Sequence, residues 1–245
     1  MSDIYDLFAD LPRQGPGNDA YTEAVYRSLT NLPSKPRILD VGCGTGQQSV
    51  ALARISGGHI LAVDNHEAFL DTLRSNARSA GVEEQIEVRN LSMFDMEFVS
   101  GSFDLIWSEG AIYIYGFRRG MTEWKRFLRP GGWHVASEIC WLKENPPAEL
   151  REHWEGLYSE MATIDEKRLL MEMLGYLTID PVILPHSTWW DSIYTPLEEK
   201  LPTWKSEHSG NPEALALAAE TEREIELFRK YPEGFVYAFF AGRIP

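Results

Sequence analysis

The run Ile38-Leu39-Asp40-Val41-Gly42-Cys43-Gly44-Thr45-Gly46 leaves this chain few folds to choose from. Its opening residues are mostly apolar, as in a strand covered on both faces, and the stretch Gln47–Ile55 after it carries helical spacing. Between the two, three glycines in five positions permit a tight turn. Their missing side chains also let a ligand approach the backbone closely. The start of the helix offers unpaired N–H groups to a polar or anionic group.

The same alternation continues. Strand-like runs occupy Arg37–Val41, His59–Asp64, Ile86–Asn90, Phe103–Ser108 and Trp133–Glu138, and Gln47–Ile55, Glu67–Ala80 and Met121–Leu128 carry helical patterns. That order predicts a doubly wound α/β fold with a mostly parallel sheet and helices on both sides. A helix over Asn18 to Leu32 precedes it, with Asn18 or Asp19 as cap. Later, Asp165–Leu174 reads as helix, Leu177–Leu184 as strand and Gly234–Arg243 as a final, aromatic-rich strand. Between those last two strands, residues 186–232 form a long insert with Trp189-Trp190 and a helix over Pro212–Lys230. A connection that long is expected to be a lid or cap. With 245 residues, 44% of them hydrophobic, the chain is expected to be one domain.

Two ligand classes compete for the glycine turn. Dinucleotide sites favour G-x-G-x-x-G/A, and here the last place holds Gln47. The spacing is instead G-x-G-x-G, preceded two residues upstream by Asp40. A carboxylate there suits a ligand with a cationic end, such as S-adenosylmethionine with its ammonium and sulfonium. Asp64 ends the second strand, where an acid accepts hydrogen bonds from ribose hydroxyls. A dinucleotide oxidoreductase is therefore the weaker reading.

Charge narrows the partners. The chain carries 37 acidic and 23 basic residues, a net charge of −14, which repels nucleic-acid phosphates. No nucleic-acid partner is expected. No apolar run approaches the ~20 residues of a membrane helix, and the acidic start lacks the features of a secretory signal, so a cytoplasmic protein without membrane association is expected. Cys43 and Cys140 are far apart and without metal-ligand spacing, and no metal site is expected.

These segments together resemble the class I S-adenosylmethionine-dependent methyltransferases of small-molecule type, over nearly the whole chain. Asp40 to Gly46 resembles that family's first motif and Ala62-Val63-Asp64 its ribose-binding strand end. Asn90 to Asp95 falls where the family places its adenine-contacting loop. Phe103 to Ser108 resembles the fourth strand, and Leu128-Arg129-Pro130-Gly131-Gly132 the turn before the fifth. Many relatives have Asp in the adenine loop where this chain has Ser92. Adenine recognition would then rest on Ser92 and the Met93 backbone, with Asp95 as fallback. Trp107 to Tyr113 and Arg13 to Gly17 are similar to a bacterial and archaeal subgroup of unassigned substrate. The resemblance implies a seven-stranded Rossmann-like sheet with its last strand antiparallel and a helical lid before it. It also implies S-adenosylmethionine as cofactor and a segment 1–35 that covers it. The expected cofactor-binding residues are Asp40, Gly42, Cys43, Gly44, Gly46, Gln47, Asp64, Asn65, Ser92, Met93 and Ser108.

Methyl transfer is an in-line displacement, so positioning the acceptor is the main task, with a base where a proton must leave. Glu109 and Tyr113, after the fourth strand, fall where methyl and acceptor should meet. Glu109 is read as a proton acceptor or an anchor for a cationic substrate, against the alternative that it orders the loop. Tyr113 is read as lining the acceptor pocket, and His186, beside Trp189-Trp190, as a further candidate. The expected reaction moves a methyl to O, N or C of a small molecule; the alternative is a methyltransferase-like module that binds the nucleoside without turnover. Oligomeric state stays open at this point.

Overall fold

A computed structural model describes residues 2–9, 11 and 13–245. Of the segment 1–35, Met1, Asp10 and Pro12 thus lie outside the described residues. The strands are β1 (Arg37–Val41), β2 (His59–Asp64), β3 (Ile86–Asn90), β4 (Phe103–Ser108), β5 (Leu128–Trp141), β6 (Leu177–Thr178), β7 (Val182–Ile183) and β8 (Phe235–Arg243). They form one sheet in the order β3-β2-β1-β4-β5-β8-β6, with β7 also paired to β8. β1 to β5 run parallel, and β8 lies antiparallel to β5, β6 and β7. The chain therefore winds outward from β1 in one direction, then returns to add β4 on its other side. That reversal places a crevice at the carboxyl ends of β1 and β4.

Alternation along the buried strands feeds two cores. Ile38, Ala62, Leu105 and Trp107 face Val50, Leu70 and Leu73, while Leu39, Val63 and Ile106 face Ile112, Phe117 and Met121. The helices Gln47–Ser56 and Glu67–Ala80 cover the first face, as expected from their spacing. The helix Asp19–Ser28 is capped by Asn18, whose side chain accepts from the Tyr21 N–H at 3.2 Å. It ends four residues short of the expected Leu32.

Three expectations are corrected. Leu177–Leu184 is not one strand but two short ones, β6 and β7, because Pro181 lacks the N–H a continuous ladder needs. Among the described residues the sheet accordingly counts eight strands, or the expected seven when β6 and β7 are taken as one interrupted strand, and its last strand is antiparallel as expected. Met121–Leu128 is not one helix: Phe117–Glu123 is helical, Trp124–Phe127 is a 3₁₀ turn, and Leu128 already belongs to β5. The Pro130-Gly131-Gly132 turn lies within β5, where the pairing with β4 slips between Phe103 and Leu105.

The insert 186–232 builds two long helices, Thr195–Glu207 and Pro212–Lys230, after a π-helical turn at Trp190–Tyr194. Trp189, Tyr194 and Phe228 pack ring on ring beside Phe235 of β8. The N-terminal helix Ser2–Phe8 rests on these helices, and Lys200 Nζ donates to the Asp6 carbonyl at 2.9 Å. Among the described residues, no helix is long and apolar enough to cross a membrane.

Candidate functional site

A cavity of about 390 Å³ opens over the glycine turn at the carboxyl ends of β1, β2 and β4. That volume falls within the range of small-molecule sites, roughly 300–1,000 Å³. Its floor is the turn itself. The N–H groups of Gly42 and Cys43 both donate to the Val63 carbonyl, tying the turn to β2. Gly42 sits at φ +71°, and a Cβ there would lie 2.4 Å from Ala111 Cβ. Only glycine fits that place, both for its dihedral and for the close approach of the loop after β4.

Asp64 sits at the rim. One carboxylate oxygen accepts from the Gly44 N–H at 3.0 Å and the other from the His66 N–H at 2.9 Å. The acid is thereby fixed in orientation at the mouth of the cavity, with lone pairs left for the hydroxyls of a sugar.

The roof comes from the N-terminal segment. Tyr5, Phe8, Arg13, Gln14 and Gly15 cross above the turn and line the cavity from the far side. Tyr5 stacks on His66, with ring centroids 4.3 Å apart. Gln14 Oε1 accepts from the Thr45 hydroxyl at 2.8 Å, while its amide nitrogen donates to the Phe8 carbonyl at 3.3 Å. Gly15 and Gly110 pass so close that a Cβ on the first would be 3.3 Å from the second's Cα.

Glu109 fastens this strap. Its Oε1 is 2.6 Å from Arg13 Nη1, and its Oε2 accepts from the Thr22 hydroxyl and the Trp107 indole, each at 3.0 Å. Arg13 also reaches Asp19 at 2.6 Å. Burial raises the Glu109 carboxyl above its usual range, against the pull of Arg13, Trp107 and Thr22. Both oxygens are engaged within the protein, which fits the ordering role better than that of a base.

Of the expected cofactor residues, Gly42, Cys43, Gly44, Gln47, Asp64, Asn65, Ser92 and Met93 line the cavity. Asp40, Gly46 and Ser108 do not. The Asp40 carboxylate is fully buried, and Ser49 donates to its Oδ2. Burial pushes this carboxyl up to about 7 against the Ser49 bond, with Glu109 and Asp64 adding to the rise. Asp40 thus lies behind the cavity wall and not on it. Gly46 instead makes room for the helix Glu67–Ala80, since a Cβ would lie 1.9 Å from Leu73 Cδ1. Ser108 donates to the Val41 carbonyl at 3.0 Å and pins β4 to β1.

Tyr113 lines the cavity beside Glu109. His186 does not; its ring packs 4.9 Å from Phe228 within the insert. No residue of 186–232, the insert expected to be a lid or cap, lines the cavity; Lys200 of this insert reaches the Asp6 carbonyl of the N-terminal helix. The missed lining residues Arg13, Gln14 and Gly15 had one sequence signal, the glycine-spaced run ending at Gly17. Cys43 and Cys140 are both buried free thiols.

Residues 38–132 match the family model described as a methyltransferase domain. The methyltransferase GfsG of Streptomyces halstedii is 32% identical over 119 residues, which cover 48% of this chain and 42% of GfsG. The chain spans less than two thirds of the length of the first curated relatives it matches, at 42, 38 and 57%. A methyltransferase from Geobacter sulfurreducens, solved with S-adenosyl-L-homocysteine, superposes with TM-score 0.84 at 18% identity, over all of this chain and 98% of that one. YjhP of E. coli superposes with TM-score 0.83 at 22% identity over the whole of both chains. At such identities these two likenesses show the fold, and the fold is the one expected.

Proposed function

We propose, since this chain belongs to the class I S-adenosylmethionine-dependent methyltransferases, that it moves a methyl group from that cofactor to a small molecule. The observation carrying this reading is the roofed cavity over the glycine turn, with Asp64 fixed at its rim and buried Asp40 behind it. Bound there, the cofactor supplies an electrophilic methyl whose carbon–sulfur bond breaks, its electron pair staying on sulfur, as an acceptor lone pair takes the carbon.

The chain's own residues supply the setting. Gly42 and Gly44 leave room for the cofactor, Asp64 orients the ribose, and Ser92 with the Met93 backbone flanks the adenine. Asp40 and Glu109 stabilise positive charge near the turn. Tyr5, Phe8 and Gln14 close the site against water, which favours displacement over hydrolysis. Tyr113 faces the space left for the acceptor.

Calorimetric titration with S-adenosylhomocysteine tests the reading. Binding at micromolar to millimolar affinity is expected, abolished by Gly44→Arg and weakened about tenfold by Asp64→Ala, which removes a charged hydrogen-bond acceptor. No heat from either the methyl donor or its product would defeat it. Binding without turnover of any acceptor in a broad panel would favour a nucleoside-binding module instead.

A further inference from the structure

We infer that the methyl acceptor is an uncharged, largely apolar molecule, seated on a rim that Phe94, Tyr113 and Ile114 form at the exposed side of the cavity. The inference rests on the methyl-transfer reading and narrows its substrate class.

The rim starts from an apolar stretch of sequence. Ala111 to Tyr115 is apolar at every position, and a helical turn of that composition is ordinarily buried all round. Here the turn Ile112–Tyr115 is buried on one face only. Ile112 and Tyr115 pack into the core, whereas Tyr113 and Ile114 are 43 and 52% exposed and line the cavity. Phe94, 52% exposed, lines it as well. Large apolar side chains gathered in one cavity and left half-exposed mark a place where a ligand supplies the cover.

The three belong to one corner of the cavity. A Cβ on Gly42 would stand 3.3 Å from Met93 Cε and 2.4 Å from Ala111 Cβ, so the loops after β3 and β4 meet there. Phe94 follows Met93, and its ring lies 5.1 Å from that of Tyr115. Tyr113 is braced by buried Tyr158, edge to face with centroids 6.1 Å apart. Packing thus holds both rings in place.

Charge then selects the ligand. Among the described residues, the charged ones that line the cavity are Arg13, Asp64 and Glu109, and each is engaged. Arg13 pairs with Glu109 and Asp19, and Asp64 accepts from the Gly44 and His66 N–H groups. At the rim, the Arg119 guanidinium lies 6.0 Å from the Phe94 centroid and is paired with Glu123 at 2.9 Å. An anionic acceptor would give up its water there for cations that already have partners. A cationic one would approach a ring that already faces a guanidinium. An uncharged apolar body gains by leaving water and covers the exposed side chains as it does so.

The test titrates protein saturated with S-adenosylhomocysteine against naphthalenemethanol, with naphthoate and naphthalenemethylamine as its anionic and cationic counterparts. The alcohol is expected to bind about tenfold or more tightly than either, since a charge is costly to desolvate without a partner. Ile114→Ser should weaken the alcohol about fivefold and Tyr113→Ala about tenfold, through lost apolar and ring contact, with S-adenosylhomocysteine affinity unchanged. Both side chains are half-exposed, so these variants are expected to fold, which circular dichroism checks. Leu169→Ser, at an exposed apolar residue that does not line the cavity, should leave the affinity as it is. A charged counterpart binding as well as the alcohol, or no binding of the alcohol to the loaded protein, overturns the inference. So does an affinity indifferent to Ile114→Ser and Tyr113→Ala, or one lowered equally by Leu169→Ser. Failure of S-adenosylhomocysteine itself to bind is seen in the preceding step, and defeats the cofactor reading on which this inference rests.

Discussion

The half of the molecule from β1 to β5 and the strap of Tyr5, Phe8, Arg13, Gln14 and Gly15, which rests on the helices of the insert, are held over one cavity by different means. In the sheet half, position follows from backbone: parallel ladders, a glycine turn and N–H groups tied to the Val63 carbonyl and Asp64. In the cap half, position follows from side chains: stacked rings and one cluster joining buried Arg13, Thr22 and Glu109 with exposed Asp19. Backbone geometry repeats with sequence period, whereas side-chain clusters join residues distant in the chain. The first can be read from spacing; the second emerges only when the chain is folded.

The sharpest way to break this contrast is to unfasten the cap alone. Arg13→Ala leaves Glu109 buried without its guanidinium, a loss of the kind that costs about 3–5 kcal/mol in other buried pairs. Because the strap can lift, we expect the cost to appear as about a hundredfold loss of S-adenosylhomocysteine affinity. Thermal melting followed by circular dichroism should move little. A large drop in melting temperature with intact affinity would show that the two halves are held by one common cluster after all.

Next in size is a test inside the sheet half. The Asp40 carboxyl is raised from 3.8 to about 7 in the folded protein. Between those values the unfolded chain releases its proton first, so this residue destabilises the free protein increasingly as pH rises from about 4 to 7. Asp40→Asn removes that slope. We expect the variant to match the wild type near pH 4 and to exceed it by about 2 kcal/mol at pH 8, about half the full conversion of the shift. Denaturant melts at the two pH values check this, and equal stabilities at pH 8 would contradict the burial argument.

Glu109→Gln sharpens the comparison further. It keeps acceptors for Thr22 and Trp107 but loses the charge that holds Arg13. An ordering role predicts that cofactor affinity and turnover fall together, each about tenfold. Turnover collapsing while affinity holds would return Glu109 to the role of proton acceptor. The smallest effect belongs to His186→Ala, which trims packing against Phe228 away from the cavity. Turnover should stay within about twofold, with a stability loss near 1 kcal/mol.

The contrast also explains what could be read from residues alone. β1, β2, β3 and β4 have the expected ends because apolar runs bounded by turn residues define them locally. Eight of eleven expected cofactor residues line the cavity for the same reason: they are loop residues at strand ends, where the topology gathers them. Asp40 and Ser108 point into the packing instead, a matter of strand face that a motif does not encode. The strap was harder. Its ion pair joins residues 96 apart in sequence, and nothing local to Arg13 announces Glu109. Pro181, by contrast, stands in the sequence itself, and it falls in the gap between β6 and β7.

The strap over the glycine turn has a temporal meaning as well. A nucleoside roofed by Tyr5, Phe8, Arg13, Gln14 and Gly15 would exchange with solvent most readily while that roof is lifted. Opening and spent-cofactor departure, rather than bond making, would then set the ceiling on turnover. The pace of that exchange would be set by a guanidinium leaving a carboxylate.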